Sequence, residues 1–270
     1  MNLFAFYKLS FIVAALSASS LSIIGKHYLS RGTILEIFFL SQMSLFGNLL
    51  SKLFFHAHES TFLSLISSYS LFGFGAYILH RLKLNKTEKG TYMVGGYLFL
   101  LALQYLLIGY FPQLDSHMSV GFFGNMVTAS SSENLLMIVI LLVFLAAYFI
   151  KKKSVNRNTI EINILNSSIK SKFELLLFSV PLIASLFGLG FLYTMSFLLL
   201  PSLVIGKILP TEKSATLSIA LLSLICSVLG LALSVSFERL STSSLQISIL
   251  AILLFAFCLI QKIRLHQSKC

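Results

Sequence analysis

The stretch from Gly188 to Leu209, GLGFLYTMSFLLLPSLVIGKIL, decides which folds are open to this chain. It is apolar enough to enter a bilayer, whose core a helix crosses with about 20 apolar residues. Pro201 stands in its interior, with glycines at Gly188, Gly190 and Gly206. Proline removes a backbone donor, and its ring clashes with the carbonyl four residues back. In lipid that break is tolerated only where neighbouring helices or a water-lined cavity satisfy the freed groups. The segment is therefore expected inside a helix bundle, with Pro201 beside a pathway. The plainer alternative is a kinked membrane helix with no special task, since Gly and Pro are common in such helices.

Composition extends the argument to all 270 residues. The chain is 57% hydrophobic and only 11% charged, whereas soluble domains carry about 25% charged residues. So few charges cannot cover a water-facing surface. An all-α polytopic membrane protein follows, with residues 1–270 forming a single membrane domain. The net charge of +11 is explained by basic cytoplasmic loops, so nucleic acid is not an expected partner. Cys226, Cys258 and Cys270 show no pairing pattern, which argues against a disulfide framework.

Candidate spans fall at Phe4–Ile24, Ile34–Leu53, Thr61–Leu82, Tyr92–Phe111, Leu135–Ile150, Phe173–Gly190, Phe191–Leu209, Ala215–Phe237 and Leu245–Ile260. The first also has features of a secretory signal peptide, with Lys8 ahead of an apolar run and small residues at Ser17-Ala18-Ser19. The two segments flanking Gly190 also fit one span plus a re-entrant half-helix, so eight to nine spans are expected. With the N-terminus outside and nine alternating segments, all of the 20 basic residues except Lys8, Lys52 and Arg239 fall in inner loops. The excess of inner positive charge selects this orientation.

Polar residues supply the candidate sites. Gln42 and Gln104 stand at mid-span depth, where a buried polar group is costly and suggests function by default. Ser60, Ser64, Ser67 and Ser68 recur at helical spacing, a stripe that faces protein or water more readily than lipid. Two outer loops carry possible metal ligands. His56-Ala57-His58-Glu59 lacks the spacing of a helical zinc-protease motif, but its imidazoles could hold zinc weakly from a loop. Asp115 and His117, in the long Pro112–Glu133 loop, form a carboxylate–imidazole pair suited to zinc or manganese. One inner loop, Ser154–Ser171, is long enough for a short interfacial helix around Thr159–Leu165. No phosphate-cradling loop is present: Ile208 follows Gly206-Lys207, and no glycine stands five residues before Gly206.

Taken in order, several stretches resemble the permease subunits of zinc/manganese-type ABC importers. They are Gly25 to Arg31, Ser41-Gln42 with Gly47, Phe123-Gly124-Asn125, Glu161-Ile162-Asn163-Ile164-Leu165, Gly190 to Pro201, and Gly230 to Glu238. The resemblance covers nearly the whole chain and implies a type II importer-like bundle. It implies no enzyme activity and no covalently bound cofactor, with a divalent metal, zinc or manganese and otherwise iron, as cargo. The implied partners are an ABC ATPase gripping the inner segment through Glu161, Ile162, Ile164 and Leu165, a periplasmic or surface metal-binding protein, and a second copy of the chain. The implied location is the bacterial inner membrane. The chain departs from the family at Phe38 and Gln42, where members carry an Asp and a His one helical turn apart, and at Phe46 and Ser167, where a proline and a glycine are expected.

Three other classes compete. A stand-alone secondary transporter often shows matching broken helices in both halves, and the first half has no counterpart to Pro201. An intramembrane enzyme would need a nucleophile–base or metal-ligand set within spans, and none is found. A non-transporting membrane scaffold gains ground from the missing Asp–His pair.

Overall fold

The computed structural model describes residues 7–54, 61–81, 86–124, 129–165, 172–205, 212–237 and 241–267. These form α1 (Lys8–Arg31), α2 (Ile34–Phe54), α3 (Thr61–Arg81), α4 (Lys86–Tyr110), a short 3-10 turn (Pro112–Leu114), α5 (Asp115–Phe123), α6 (Ser131–Leu165), α7 (Lys172–Leu189), α8 (Phe191–Ile205), α9 (Glu212–Ser236) and α10 (Thr242–Gln267). No strand occurs among the described residues. Six of the helices are long and apolar enough to cross a membrane: α1, α2, α3, α4, α6 and α9. The apolar parts of α7, α8 and α10 are shorter.

Local signals set the helix ends. α1 stops where Gly32 takes a left-handed φ of 67°, and the Gly32 and Thr33 amides donate back to the Leu29 and Tyr28 carbonyls. That closure suits glycine, which pays no Cβ penalty there. α6 starts on a reciprocal cap. The Ser130 amide donates to the Glu133 carboxylate, and the Glu133 amide donates to the Ser130 hydroxyl.

Helix α1 is the hub, packed by α6, α7, α8 and α9. The core runs through its Val13, Ala14, Leu21 and Ile24 to Phe178 and Leu182 of α7 and Phe197 and Leu198 of α8. A second group, α2 with α3 and α4, joins the hub chiefly through α7. Contacts at helix ends show alternating directions. Arg31, Glu174 and Thr159 meet at one end. At that same end Lys26 bonds Thr216, and Lys89 pairs with Glu36. At the other end Gly190 lies against Gly124, and the Ser243 hydroxyl donates to the Phe123 carbonyl at 2.6 Å. The first is called the basic end below, since Arg31, Arg81 and Lys151–Lys153 gather near it.

Close helix crossings rest on glycine. A Cβ on Gly25 would lie 1.6 Å from the Leu198 carbonyl oxygen, one on Gly47 2.7 Å from that of Ser67, and one on Gly230 2.6 Å from Gln246 Cα. Small residues let backbones approach where no hydrophobic force drives helices together in lipid. Gly124 and Gly190, with φ of 82° and 84°, face each other so tightly that a Cβ on Gly190 would sit 2.3 Å from the Gly124 nitrogen. The residues carrying the family resemblance are thus also the backbone contacts of the bundle.

Two loop expectations need correction. The segment Pro112–Glu133 is not one long loop, because Asp115–Phe123 is helical, with the Asp115 carboxylate near the helix's positive start. The described part of the inner segment, from Ser154 to Leu165, is not a separate short helix either. α6 continues unbroken for 35 residues to Leu165, because no Gly or Pro interrupts it. At about 1.5 Å per residue this helix spans roughly 50 Å, well beyond a hydrocarbon core of about 30 Å.

Much of α4 is apolar and exposed, including Tyr92, Leu98, Phe99, Tyr105, Leu106 and Tyr110. Such a surface is a liability in water and ordinary against lipid.

Candidate functional site

The mid-span candidates come together. α2 carries Gln42 and α4 carries Gln104, and both side chains are fully buried. The Gln42 Nε2 donates to Gln104 Oε1 at 2.9 Å, and Gln104 Nε2 reaches the Gln42 carbonyl at 3.4 Å. Gln42 Oε1 and the neighbouring Ser41 hydroxyl are left without a protein partner. A buried acceptor with no donor is costly, so this point suits water or a passing polar group. Phe38, one turn earlier, packs edge-on against Tyr97 and Phe191, with ring centroids 6.3 Å away in each case. Pro201 is buried in α8, which continues past it to Ile205. The following Ser202 hydroxyl reaches both the Leu198 carbonyl of its own helix and the Ser22 carbonyl of α1. Within the serine stripe, Ser60 lies outside the described residues, while Ser64 and Ser67 face α2: Ser64 lies 3.1 Å from the Ser51 hydroxyl, and the Ser67 hydroxyl donates to the Gly47 carbonyl at 2.7 Å.

Toward the end opposite the basic one, a small pocket opens beside Gln104, lined also by Asn48, Leu49, His117, Met118 and Phe122. His117 therefore borders the Gln104 region. Asp115 is exposed and stands two residues away on the same helix, a spacing that puts the two side chains on different faces. The structure does not bring them together as a ligand pair. No group of three His, Cys, Asp or Glu side chains that could hold a metal exists among the described residues. His56 and His58 lie outside the described residues, as do Gly206 and Lys207.

At the basic end, the projecting part of α6 presents two faces. On the exposed face, Arg157 Nε donates to Glu161 at 2.8 Å, and Ile160 is 54% exposed. On the inner face, Val155, Thr159 and Ile162 are buried. Of the residues expected to be gripped, Glu161 is accessible and Ile162 points inward. The side chains of Ile164 and Leu165 lie outside what the structure describes.

That inner face joins a polar network the sequence did not reveal. Arg31, at the end of α1, pairs with Glu174 of α7 at 2.8 Å, and their side chains are only 1% and 3% exposed. The other Glu174 oxygen accepts from Asn158 of α6 at 2.6 Å. The Thr159 hydroxyl donates to the Val155 carbonyl and accepts from Arg31 Nε and a guanidinium NH2 at 3.2 and 2.9 Å. His27 joins the same cluster, with Nδ1 3.0 Å from the Thr159 hydroxyl and Nε2 3.1 Å from the Tyr148 hydroxyl. Phe178 stacks on His27 and lies under the Arg31 guanidinium. Three helices are thus tied by directional, charge-assisted bonds. Glu174 escaped notice because an acid in the first turn of an apolar helix reads as a solvated start. Nothing local links it to Arg31, 143 residues away.

No protein-family model matches the sequence, and no curated protein does. Solved structures do match. PsaBC from Streptococcus pneumoniae, in complex with Fab, superposes over 95% of this chain and 91% of its own, with a TM-score of 0.74 at 18% identity. An ABC transporter described as metal-chelate type, in an inward-facing conformation, superposes over 96% of this chain and 88% of its own, with a TM-score of 0.65 at 16% identity. Over nearly all of its length the chain shares the fold of these two solved chains.

Proposed function

We propose that this chain is the permease subunit of an ABC importer for a divalent metal ion of the zinc, manganese or iron class. It forms the translocation pathway and leaves ATP hydrolysis to a separate subunit. The observation that carries this reading is the superposition over nearly the full length of both solved transporter chains. The projecting end of α6 supports the division of labour, since its exposed face with Arg157, Ile160 and Glu161 gives an ATPase something rigid to hold. Two copies of the chain would flank the pathway in a bacterial inner membrane. A periplasmic or surface metal-binding protein would deliver cargo at the end opposite the basic one.

Co-expression with an ABC ATPase from the same source tests this reading. The wild-type chain should co-purify with the ATPase in detergent, and changing Ile160 and Glu161 together to alanine should remove most of that complex. A wild-type chain that associates with no ATPase would end the proposal.

A second reading concerns cargo. Phe38 is enclosed by aromatic rings, and Gln42 is engaged by Gln104, so neither offers the charged ligand a bare cation favours. Amide and hydroxyl groups along this path suit a metal already enclosed by an organic chelator, the cargo type named for one of the similar structures. Growth of a deletion strain on zinc or manganese salts, against growth on chelated metal, separates the two.

A further inference from the structure

The network at the basic end is larger than stability requires. Burying an ion pair costs desolvation that its attraction only roughly repays, and apolar residues of similar volume often do as well. Elsewhere in this bundle, helices cross on glycine and serine. Here Arg31, Thr159, Asn158 and Glu174 lock α1, α6 and α7 against both sliding and rotation. Apolar packing would leave those motions freer.

The position matters as much as the chemistry. Asn158 and Thr159 share a helical turn with Arg157, Ile160 and Glu161, which face outward. Force applied to that exposed face reaches the network through a single turn of helix. From Arg31 the path continues along α1, where Gly25 sits against the Leu198 backbone and the Ser22 carbonyl accepts from Ser202, the residue after Pro201. From Glu174 it continues along α7 to Gly190, beside Gly124 at the far end.

We propose that the Arg31–Thr159–Glu174 network is the joint that carries movement of the α6 extension into α1 and α7, with these three as positioning residues. This rests on the permease reading above and adds to it where the ATPase-driven motion enters the bundle. A purely structural network would hold the helices together but leave nucleotide-driven motion unchanged when replaced by equally stable packing.

The test uses the full chain in complex with its ATPase, reconstituted in liposomes. Asn48→Cys places a reporter at the far-end pocket, and labelling by a membrane-impermeant maleimide is timed with and without ATP. Without other changes, ATP should shift the labelling rate at least about fivefold, the lower range of allosteric couplings. Adding Arg31→Met with Glu174→Leu should abolish the shift while ATP hydrolysis stays within about twofold. Thr159→Val, which removes one hydroxyl, should weaken the shift, and Thr159→Ser should retain it. These single variants decide the matter if the double variant fails to fold. An unchanged shift in folded Arg31→Met/Glu174→Leu or Thr159→Val overturns the joint, as does a complex that hydrolyses ATP but never shifts. If the wild-type chain forms no complex at all, the permease reading falls and the joint falls with it.

Discussion

Replacing Glu174 with alanine is expected to destabilise the folded chain by about 3–5 kcal/mol, the usual cost of stranding one partner of a buried ion pair. Arg31 would keep its bonds to Thr159 but lose its counter-charge, and Asn158 would lose its acceptor. Arg31→Met should cost a similar amount, because Glu174 would then be the stranded charge. The pair Arg31→Met with Glu174→Leu should recover most of the loss, since neither charge remains buried. Unfolding in mixed detergent micelles, run as a double-mutant cycle, measures all of these. If the two single losses simply add in the double variant, the side chains are not paired.

Gly25→Ala should be the most damaging small substitution in the bundle. The added Cβ would fall 1.6 Å from a backbone oxygen of α8, and a backbone cannot swing aside as a side chain can. Relief requires α1 and α8 to separate, which opens the core around Leu21, Ile24, Phe197 and Leu198. Overpacking typically costs about 1–3 kcal/mol and sometimes more, and this contact belongs at or above the upper end. Gly73→Ala is the matched control: nothing lies within 4 Å of its added Cβ, and alanine favours a helix interior by up to about 1 kcal/mol. Thermal unfolding should therefore fall sharply for the first and stay level or rise for the second. Equal midpoints would contradict the close crossing of α1 and α8.

The long elements were legible because lipid imposes a simple rule. A run of about 20 apolar residues has few options other than a helix. Each apolar run found in the sequence overlaps a helix, six of them long enough to cross a membrane, and the break at Gly190 falls between two runs. Legibility failed where water takes over. Lys151-Lys152-Lys153 reads as the start of a loop, yet charged residues suit a solvated helix, and α6 runs on for 12 residues past Lys153 to Leu165. The outer segment reads as a loop because the nine helical residues between Leu114 and Gly124 carry little apolar pattern.

The site divides along the same line. Gln42 and Gln104 stood out singly because an amide within an apolar run is conspicuous, but their pairing required two helices to be placed side by side. The glycines at positions 25, 47, 124 and 230 stand out only through resemblance, whereas Gly190 also marks the break between two apolar runs, and the structure gives the physical reason for all five in backbone contact. Charge alone places Arg31 in an inner loop, while burial against Glu174 makes it part of the interior. Long-range polar partners leave no periodic trace in a sequence, so the network with the largest expected energetic effect was the one least visible there.

The central claim is that these helices form a gate with no power source of their own. Purified chain in sealed liposomes, with a metal-sensitive dye trapped inside, tests it most directly. With zinc or manganese outside and an imposed proton or sodium gradient, the chain alone should produce no accumulation. Adding its ATPase, its metal-binding protein and ATP should produce uptake against the metal gradient. Sustained uphill uptake by the chain alone would contradict the claim and identify a transporter that draws on the gradient itself.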